Sequence, residues 1–247
     1  MLKELEERLK KLEKVAIAYS GGIDSSFILF VANKVLSREN VIAIIANGAM
    51  VPRKDYKEAI EFLKENKFQY IEISYNPLAI EAFKTNSKDR CYYCKKELMG
   101  KIQETAKKQG YEYVLDGKNT DDLKVYRPGN KASEELGIIS PLADLGFSKE
   151  DIRENAKKLG IKFWNKPSNS CLATRFPYNT NLSREDLEKV DKSEEIIKEL
   201  GINKVRVRVH NNIARIEVEK QNFGKILKNE TIVEQIKKLG LKSGSFD

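Results

Sequence analysis

Two groups of residues in this sequence have the types and spacing to do chemistry. The first is Ser20-Gly21-Gly22-Ile23-Asp24-Ser25-Ser26, which follows the apolar run Val15 to Tyr19 and opens a helical pattern from Asp24 to about Leu36. Adjacent glycines let backbone N–H groups converge on one point, and a helix start adds free N–H groups and the positive end of its dipole. Ser20, Ser25 and Ser26 can add hydroxyl donors, while Asp24 is placed to cap the helix or to engage a metal that accompanies phosphate. The expected chemistry is anion binding, with a nucleotide phosphate chain as the ligand. No Gly-Lys-Ser/Thr follows closely, so this is not a Walker A loop.

The second group is the three cysteines. Cys91 and Cys94 form a Cys-x-x-Cys pair within Asp89-Arg90-Cys91-Tyr92-Tyr93-Cys94-Lys95, and Cys171 lies in the long segment from Trp164 to Tyr178. The pair brings two thiols within reach of one metal, and Arg90 and Lys95 favour the ionised forms. On local grounds a redox dithiol, half a zinc site, an iron-sulfur site and two buried inert thiols all remain open.

These residues need a scaffold, and the pattern supplies one. Leu2, Leu5, Leu9 and Leu12 mark a first helix, residues 15–19, 41–46, 70–75 and 113–116 read as strands, and 53–67 as a second long helix. Strands alternating with helices predict a parallel α/β sheet with ligands at the carboxyl ends of its strands. Asp116-Gly117-Lys118-Asn119-Thr120-Asp121-Asp122 follows the fourth strand, where it suits a second wall of the nucleotide site or a helix cap. A helix over 148–159, another over 183–200, strands 205–210 and 214–219, and a final helix to Leu239 complete the chain. Period-two geometry puts Arg206, Arg208 and His210 on one strand face and the valines on the other. The face is either solvated or, near an anion site, a phosphate clamp. His210 alone is expected to be a surface or hydrogen-bonded histidine rather than a catalyst.

The 247 residues carry 45 Lys and Arg against 37 Asp and Glu, a formal charge of +8. That excess suits a nucleotide, a phosphorylated metabolite or RNA, but the lysines are interleaved with glutamate on helical faces, so nucleic acid is permitted rather than indicated. No apolar run approaches the ~20 residues that span a bilayer and the N-terminus is charged, which predicts a cytoplasmic protein. In a reducing compartment, three cysteines point to metal binding or catalysis rather than disulfides.

The Ser20 to Ser26 string resembles the PP-loop of the N-type ATP pyrophosphatases, which cleave ATP to AMP and pyrophosphate while adenylating a substrate. With Asp89 to Cys94, Asp116 to Asp122, Tyr126-Arg127-Pro128-Gly129, Ser140-Pro141-Leu142, Lys166 to Arg175, Val205 to Arg208 and Ser243-Gly244-Ser245, the chain resembles the LarE family of ATP-dependent sulfur transferases. The resemblance implies a PP-loop ATP pyrophosphatase domain of the adenine nucleotide alpha hydrolase-like kind over 1–178. It also implies a small C-terminal α+β domain over 179–247 for substrate binding or oligomerisation, in a homo-oligomer. It implies adenylation of a carboxylate of pyridinium biscarboxylic acid mononucleotide, with ATP and Mg2+, and replacement of AMP by sulfur on the route to the nickel-pincer nucleotide cofactor.

Cys171 matches the position at which some members surrender their own sulfur. Members with all three cysteines resemble iron-sulfur enzymes, so Cys91, Cys94 and Cys171 are expected to hold a 4Fe-4S cluster fed by inorganic sulfide or another sulfur donor, with Zn2+ as the competing metal. By motif match, Ser20, Gly21, Gly22, Asp24, Ser25, Ser26, Asp122, Arg127, Thr174 and Arg175 would bind the nucleotide. Arg206, Arg208 and Glu194 would bind the substrate, and Asp24 would share catalysis with the cysteines. A PP-loop tRNA thiolation enzyme is the first alternative, and a non-catalytic nucleotide-binding or metal-storage protein the second. The tail departs from the family pattern: it passes almost directly from helix to Ser-Gly-Ser, leaving the C-terminal sheet without the strand usual there.

Overall fold

The computed structural model describes every residue except 125–127, 212 and 247. The chain divides into two compact units. The first comprises Met1–Gly48, Asp55–Tyr75 and Cys91–Asn169, and the second Ala49–Lys54, Asn76–Arg90 and Ser170–Asp247. Residues 170–178, expected with the first domain, therefore group with the second.

In chain order the elements are α1 (Leu2–Leu12), β1 (Val15–Tyr19), α2 (Ile23–Val35), β2 (Val41–Asn47), α3 (Arg53–Glu65), β3 (Tyr70–Ser74), α4 (Glu81–Lys84) and α5 (Arg90–Lys108). They continue with β4 (Tyr113–Leu115), α6 (Thr120–Leu123), α7 (Pro128–Glu135), α8 (Pro141–Asp144), α9 (Lys149–Lys158) and α10 (Arg184–Lys198). Last come β5 (Val205–His210), β6 (Ile213–Val218), α11 (Phe223–Leu227), α12 (Glu230–Lys238) and β7 (Lys242–Phe246).

The first unit is built on a four-stranded, all-parallel sheet in the order β3-β2-β1-β4. Its strands read as continuous apolar runs because both faces are covered. Alternate residues go to opposite sides. Val15, Ile17, Val41, Ala43 and Ile45 join one core with Leu5 and Leu9 of α1, Phe27 of α2, Phe62 of α3 and Ile152 of α9. Ala16, Ala18, Ile42 and Ile44 join another with Met99, Ile102 and Ala106 of α5. Leu5 and Leu9 are wholly buried, each burial being worth about 1.5–3 kcal/mol, and together they pin α1 to the sheet. This core fixes the carboxyl end of β1, from which the Ser20 loop emerges.

The second unit contains a three-stranded sheet in the order β5-β6-β7, with β5 antiparallel to β6 and β7 parallel to it. Here the structure adds to the sequence expectation: the Ser243-Gly244-Ser245 tail, to which the sequence assigned no strand, lies within β7. A parallel partner needs a crossover, and α11 and α12 provide it between β6 and β7. Helix α10 opens with a reciprocal cap in which Ser183 Oγ accepts from Asp186 N–H and the Asp186 carboxylate accepts from Ser183 N–H.

Candidate functional site

The Ser20 to Ser26 segment lies where the sequence places it, at the end of β1 and the start of α2. Gly21 has φ +75°, and a Cβ there would stand 2.6 Å from Ala59 Cβ, so both the turn and the close approach of α3 demand glycine. Ser25 Oγ accepts the Ser20 N–H at 3.2 Å, lies 3.0 Å from Ser20 Oγ, and donates to Gly22 O at 3.1 Å. Ser26 Oγ bonds the Tyr19 hydroxyl at 3.3 Å, and burial raises the Tyr19 phenol, keeping it protonated. Ser25 and Ser26 are thus buried parts of the loop's own framework. The helix cap is Gly22, with extended backbone, and Asp24 sits in the first turn of α2. Of the two roles open to Asp24, capping is removed.

What remains for Asp24 is a ligand's charge. Its Oδ2 is paired with the ammonium of Lys149, at the start of α9, while its Oδ1 is buried and has no hydrogen-bond partner among the described residues. Burial raises its carboxyl above the usual aspartate range and the neighbouring Asp122 adds to this, against the pull of Lys149 and the Asn119 side chain. An orphaned carboxylate oxygen beside a second carboxylate and an anion nest fits Mg2+ accompanying ATP, with Asp24 as the residue that would hold it. Asp122 also closes the reciprocal cap of α6, accepting from Asn119 N–H at 3.2 Å. Tyr126 and Arg127, expected beside it, lie outside the described residues.

The sequence does not disclose Lys149, because it meets Asp24 across 125 positions. Gly117 had a visible signal, a glycine directly after a strand. A Cβ on it would lie 2.7 Å from Ser25 N and 3.0 Å from Asp24 C, so only glycine lets β4 end against the nest. Gly117→Ala must push the start of α2 aside, and a misplacement of about 1 Å costs on the order of 100-fold. Weakening of that size is expected in kcat/KM for ATP, with the fold retained by circular dichroism.

Cys91 and Cys94 stand in the first turns of α5, where the helix dipole favours anions. Cys91 is exposed and Cys94 half-buried, and neither takes part in a disulfide. The buried Tyr75 donates its hydroxyl to Cys94 O at 2.8 Å and lies 3.4 Å from Cys94 Sγ. Lys95, expected to act on the thiols, reaches Asp116 at 3.4 Å. Asp116 in turn accepts from Ser140 Oγ at 2.8 Å and Lys118 N–H at 3.1 Å, a buried hub rather than a free pocket wall. Among the described residues no three His, Cys, Asp or Glu side chains are gathered so as to hold a metal ion. The three cysteines expected to hold a cluster are ligands of the right type for one, Cys91 and Cys94 in the first unit and Cys171 in the second.

In the second unit, Cys171 precedes a tight turn, Leu172–Arg175. Thr174 donates both its N–H, at 3.0 Å, and its hydroxyl, at 2.8 Å, to Cys171 O. Arg175 and Glu194, expected on nucleotide and substrate, instead hold each other: Nε to Oε1 is 2.7 Å and Nη2 to Oε2 is 3.0 Å, with both side chains at 0 % exposure. Glu194, expected on the substrate, lies seven residues after Leu187, four after Val190 and three before Ile197. That is the buried stripe of α10, so the periodicity carried the signal. Removing one partner of a buried pair costs about 3–5 kcal/mol. Glu194→Ala is accordingly expected to shift the urea midpoint by a large fraction of total stability.

Arg208 donates to Thr174 O at 2.9 Å and to Glu217 at 2.7 Å, and Arg215 reaches the same Glu217 oxygen at 2.8 Å. The two arginines hold the Glu217 carboxyl below its usual range, although burial opposes them. Arg206 and His210 are exposed and the intervening valines buried, as strand alternation predicts. No helix among the described residues is long and apolar enough to cross a membrane.

Comparison with known proteins now bears on the family. The model of the family described as NAD synthase matches residues 2–120, which contain the nest. A pyridinium-3,5-bisthiocarboxylic acid mononucleotide synthase of Lactiplantibacillus plantarum is 36% identical over 240 residues, covering 97% of this chain and 87% of that protein. The chain belongs to the LarE family of PP-loop enzymes. Two further proteins are similar to it over the same extent. An uncharacterized protein of Synechocystis sp. is 37% identical over 95% of this chain and 87% of its own, and one of Methanocaldococcus jannaschii 34% over 96% and 90%. The four-stranded all-parallel sheet is that of a PP-loop ATP pyrophosphatase domain, and the family implies ATP with Mg2+.

Proposed function

We propose that this protein is an ATP-dependent sulfur transferase that adenylates a carboxylate of pyridinium biscarboxylic acid mononucleotide and replaces the AMP with sulfur, giving a thiocarboxylate. The observation that carries this is the near full-length similarity to the synthase of L. plantarum, whose named product is the bisthiocarboxylic acid. The nest supports the first half. Its N–H groups and the exposed Ser20 hydroxyl bind the phosphates, Asp24 holds the cation that neutralises them, and Lys149 balances Asp24 while the cation is absent. A carboxylate oxygen leaves poorly and AMP leaves well, so activation prepares the acyl carbon for a sulfur nucleophile.

The sulfur is proposed to come from a 4Fe-4S cluster on Cys91, Cys94 and Cys171, recharged by inorganic sulfide or another donor. Its support is ligand chemistry alone, three thiols being enough to hold a cubane with one open iron. Three thiolates with an open position would equally suit Zn2+. A second reading needs one thiol only, that of Cys171. Cys171 Sγ bonds to the acyl carbon as AMP departs; loss of the Cα proton and cleavage of Cβ–Sγ then leave dehydroalanine and the thiocarboxylate. A cytoplasmic homo-oligomer built through the C-terminal sheet belongs to the same proposal.

Anaerobic reaction with ATP, Mg2+ and the mononucleotide, followed by mass spectrometry of product and protein, tests it. Thiocarboxylate from a brown protein of unchanged mass with about four irons per chain marks the cluster route. Thiocarboxylate from colourless protein that has lost the Cys171 sulfur marks the single-use route, and no thiocarboxylate under either loading refutes the assignment.

A further inference from the structure

We propose that the buried Arg175–Glu194 pair is a positioning device for Cys171 rather than a contact to nucleotide or substrate. The inference rests on Cys171 being the sulfur-handling residue of the proposed function. It departs from what family resemblance implies for both residues.

The guanidinium has no nitrogen left over for a ligand. Nε and Nη2 donate to Glu194, and Nη1 donates to Ser170 Oγ at 2.6 Å, Ser170 O at 3.1 Å and Thr174 Oγ1 at 2.9 Å. Those acceptors flank Cys171 on both sides. Glu194 is fixed in turn, because its Oε1 also accepts the Val207 N–H of β5 at 3.0 Å. The turn is anchored at two further points, Leu172 N–H on Met50 O at 3.0 Å and Thr174 O on Arg208. One fork thus ties the backbone on either side of Cys171 to α10 and β5, leaving its half-buried thiol little freedom beyond side-chain rotation.

An ion pair at this depth is a poor device for stability alone, since packed hydrophobic residues of similar volume usually do as well or better. What hydrophobic residues cannot reproduce is a planar, five-donor fork that fixes several acceptors at once. That capacity is used here on the residues either side of the thiol.

The test uses the Cys91→Ser/Cys94→Ser protein, in which Cys171 is the remaining thiol. Its alkylation by iodoacetamide is measured in Glu194→Gln, which keeps an acceptor for Val207, and in Arg175→Met/Glu194→Gln, which removes both charges and guards against a failure to fold. Alkylation is expected to accelerate about tenfold in both, the size of coupling found within one hydrogen-bond network. In the protein with its three cysteines, the same substitutions should lower kcat for thiocarboxylate formation and leave KM for the mononucleotide within about twofold, the signature of lost positioning.

An unchanged alkylation rate with a raised KM would overturn the proposal and make the pair a ligand contact. A double variant with wild-type melting temperature and wild-type alkylation would overturn it too, reducing the pair to packing. Alkylation needs no acceptor, so failure of wild-type protein to form thiocarboxylate would remove the sulfur-transfer reading without deciding this one.

Discussion

Asp24→Asn is expected to lower pyrophosphate formation from ATP by about 10²–10³-fold, the usual loss when a preorganised charge is removed from a reacting site. The substitution keeps the shape of the first turn of α2 and removes the charge of the one nest residue whose buried oxygen lacks a partner. The same change should raise the melting temperature of the metal-free protein. The sign follows from linkage. Burial raises the Asp24 carboxyl in the folded state, so its stabilising contribution is complete below the unfolded value and is lost as pH climbs through the folded one. Once ionised, the buried group is a burden that Lys149 only partly offsets, and asparagine lifts it. Activity and stability then move in opposite directions, whereas a structural capping role would lose both. Differential scanning fluorimetry with and without Mg2+-ATP, beside a pyrophosphate assay, reads the two effects. Magnesium-dependent stabilisation should be present in the wild type and absent in the variant.

Cys171→Ala is expected to reduce thiocarboxylate formation to background while substrate-dependent pyrophosphate release continues. The reasoning is one of separable halves: activation depends on the nest, sulfur on the cysteine. Both the cluster route and the single-use route require Cys171, so the loss should be complete in either. The routes part at the other two thiols. Cys91→Ala should abolish transfer if three ligands hold a cluster and spare a single turnover if Cys171 gives its own sulfur. Single-turnover product analysis with labelled mononucleotide distinguishes them, and a Cys171→Ala protein that still forms thiocarboxylate would remove the cysteine from the chemistry.

The ATP half was legible because its cause is local. Val15 to Tyr19 is apolar at every position since both sheet faces are covered, and Gly21 marks a left-handed turn pressed against Ala59. Those facts leave traces in adjacent letters. The Asp24–Lys149 pair leaves none, as its two residues meet only through the packing of α9 on α2. Glu194 was hidden by its charge: solvation is the ordinary fate of glutamate on a helix, and only its spacing from Leu187 and Ile197 told otherwise. The last strand was missed for the opposite reason. Ser-Gly-Ser has low strand propensity, and β7 forms because β6 offers it an open edge. The cysteines were legible as types but not as a set, since spacing in sequence says nothing of where Cys171 comes to lie.

The central claim is that the nest activates a carboxylate on a pyridinium mononucleotide. Isotope exchange between pyrophosphate and ATP, measured with that mononucleotide and separately with unmodified tRNA, tests it most directly. Exchange that depends on the mononucleotide, is indifferent to tRNA and is lost in Asp24→Asn is the predicted result. Exchange stimulated by tRNA alone would make the protein a tRNA thiolation enzyme and contradict the account, and the absence of any acceptor-dependent exchange would leave it a nucleotide-binding protein without this chemistry.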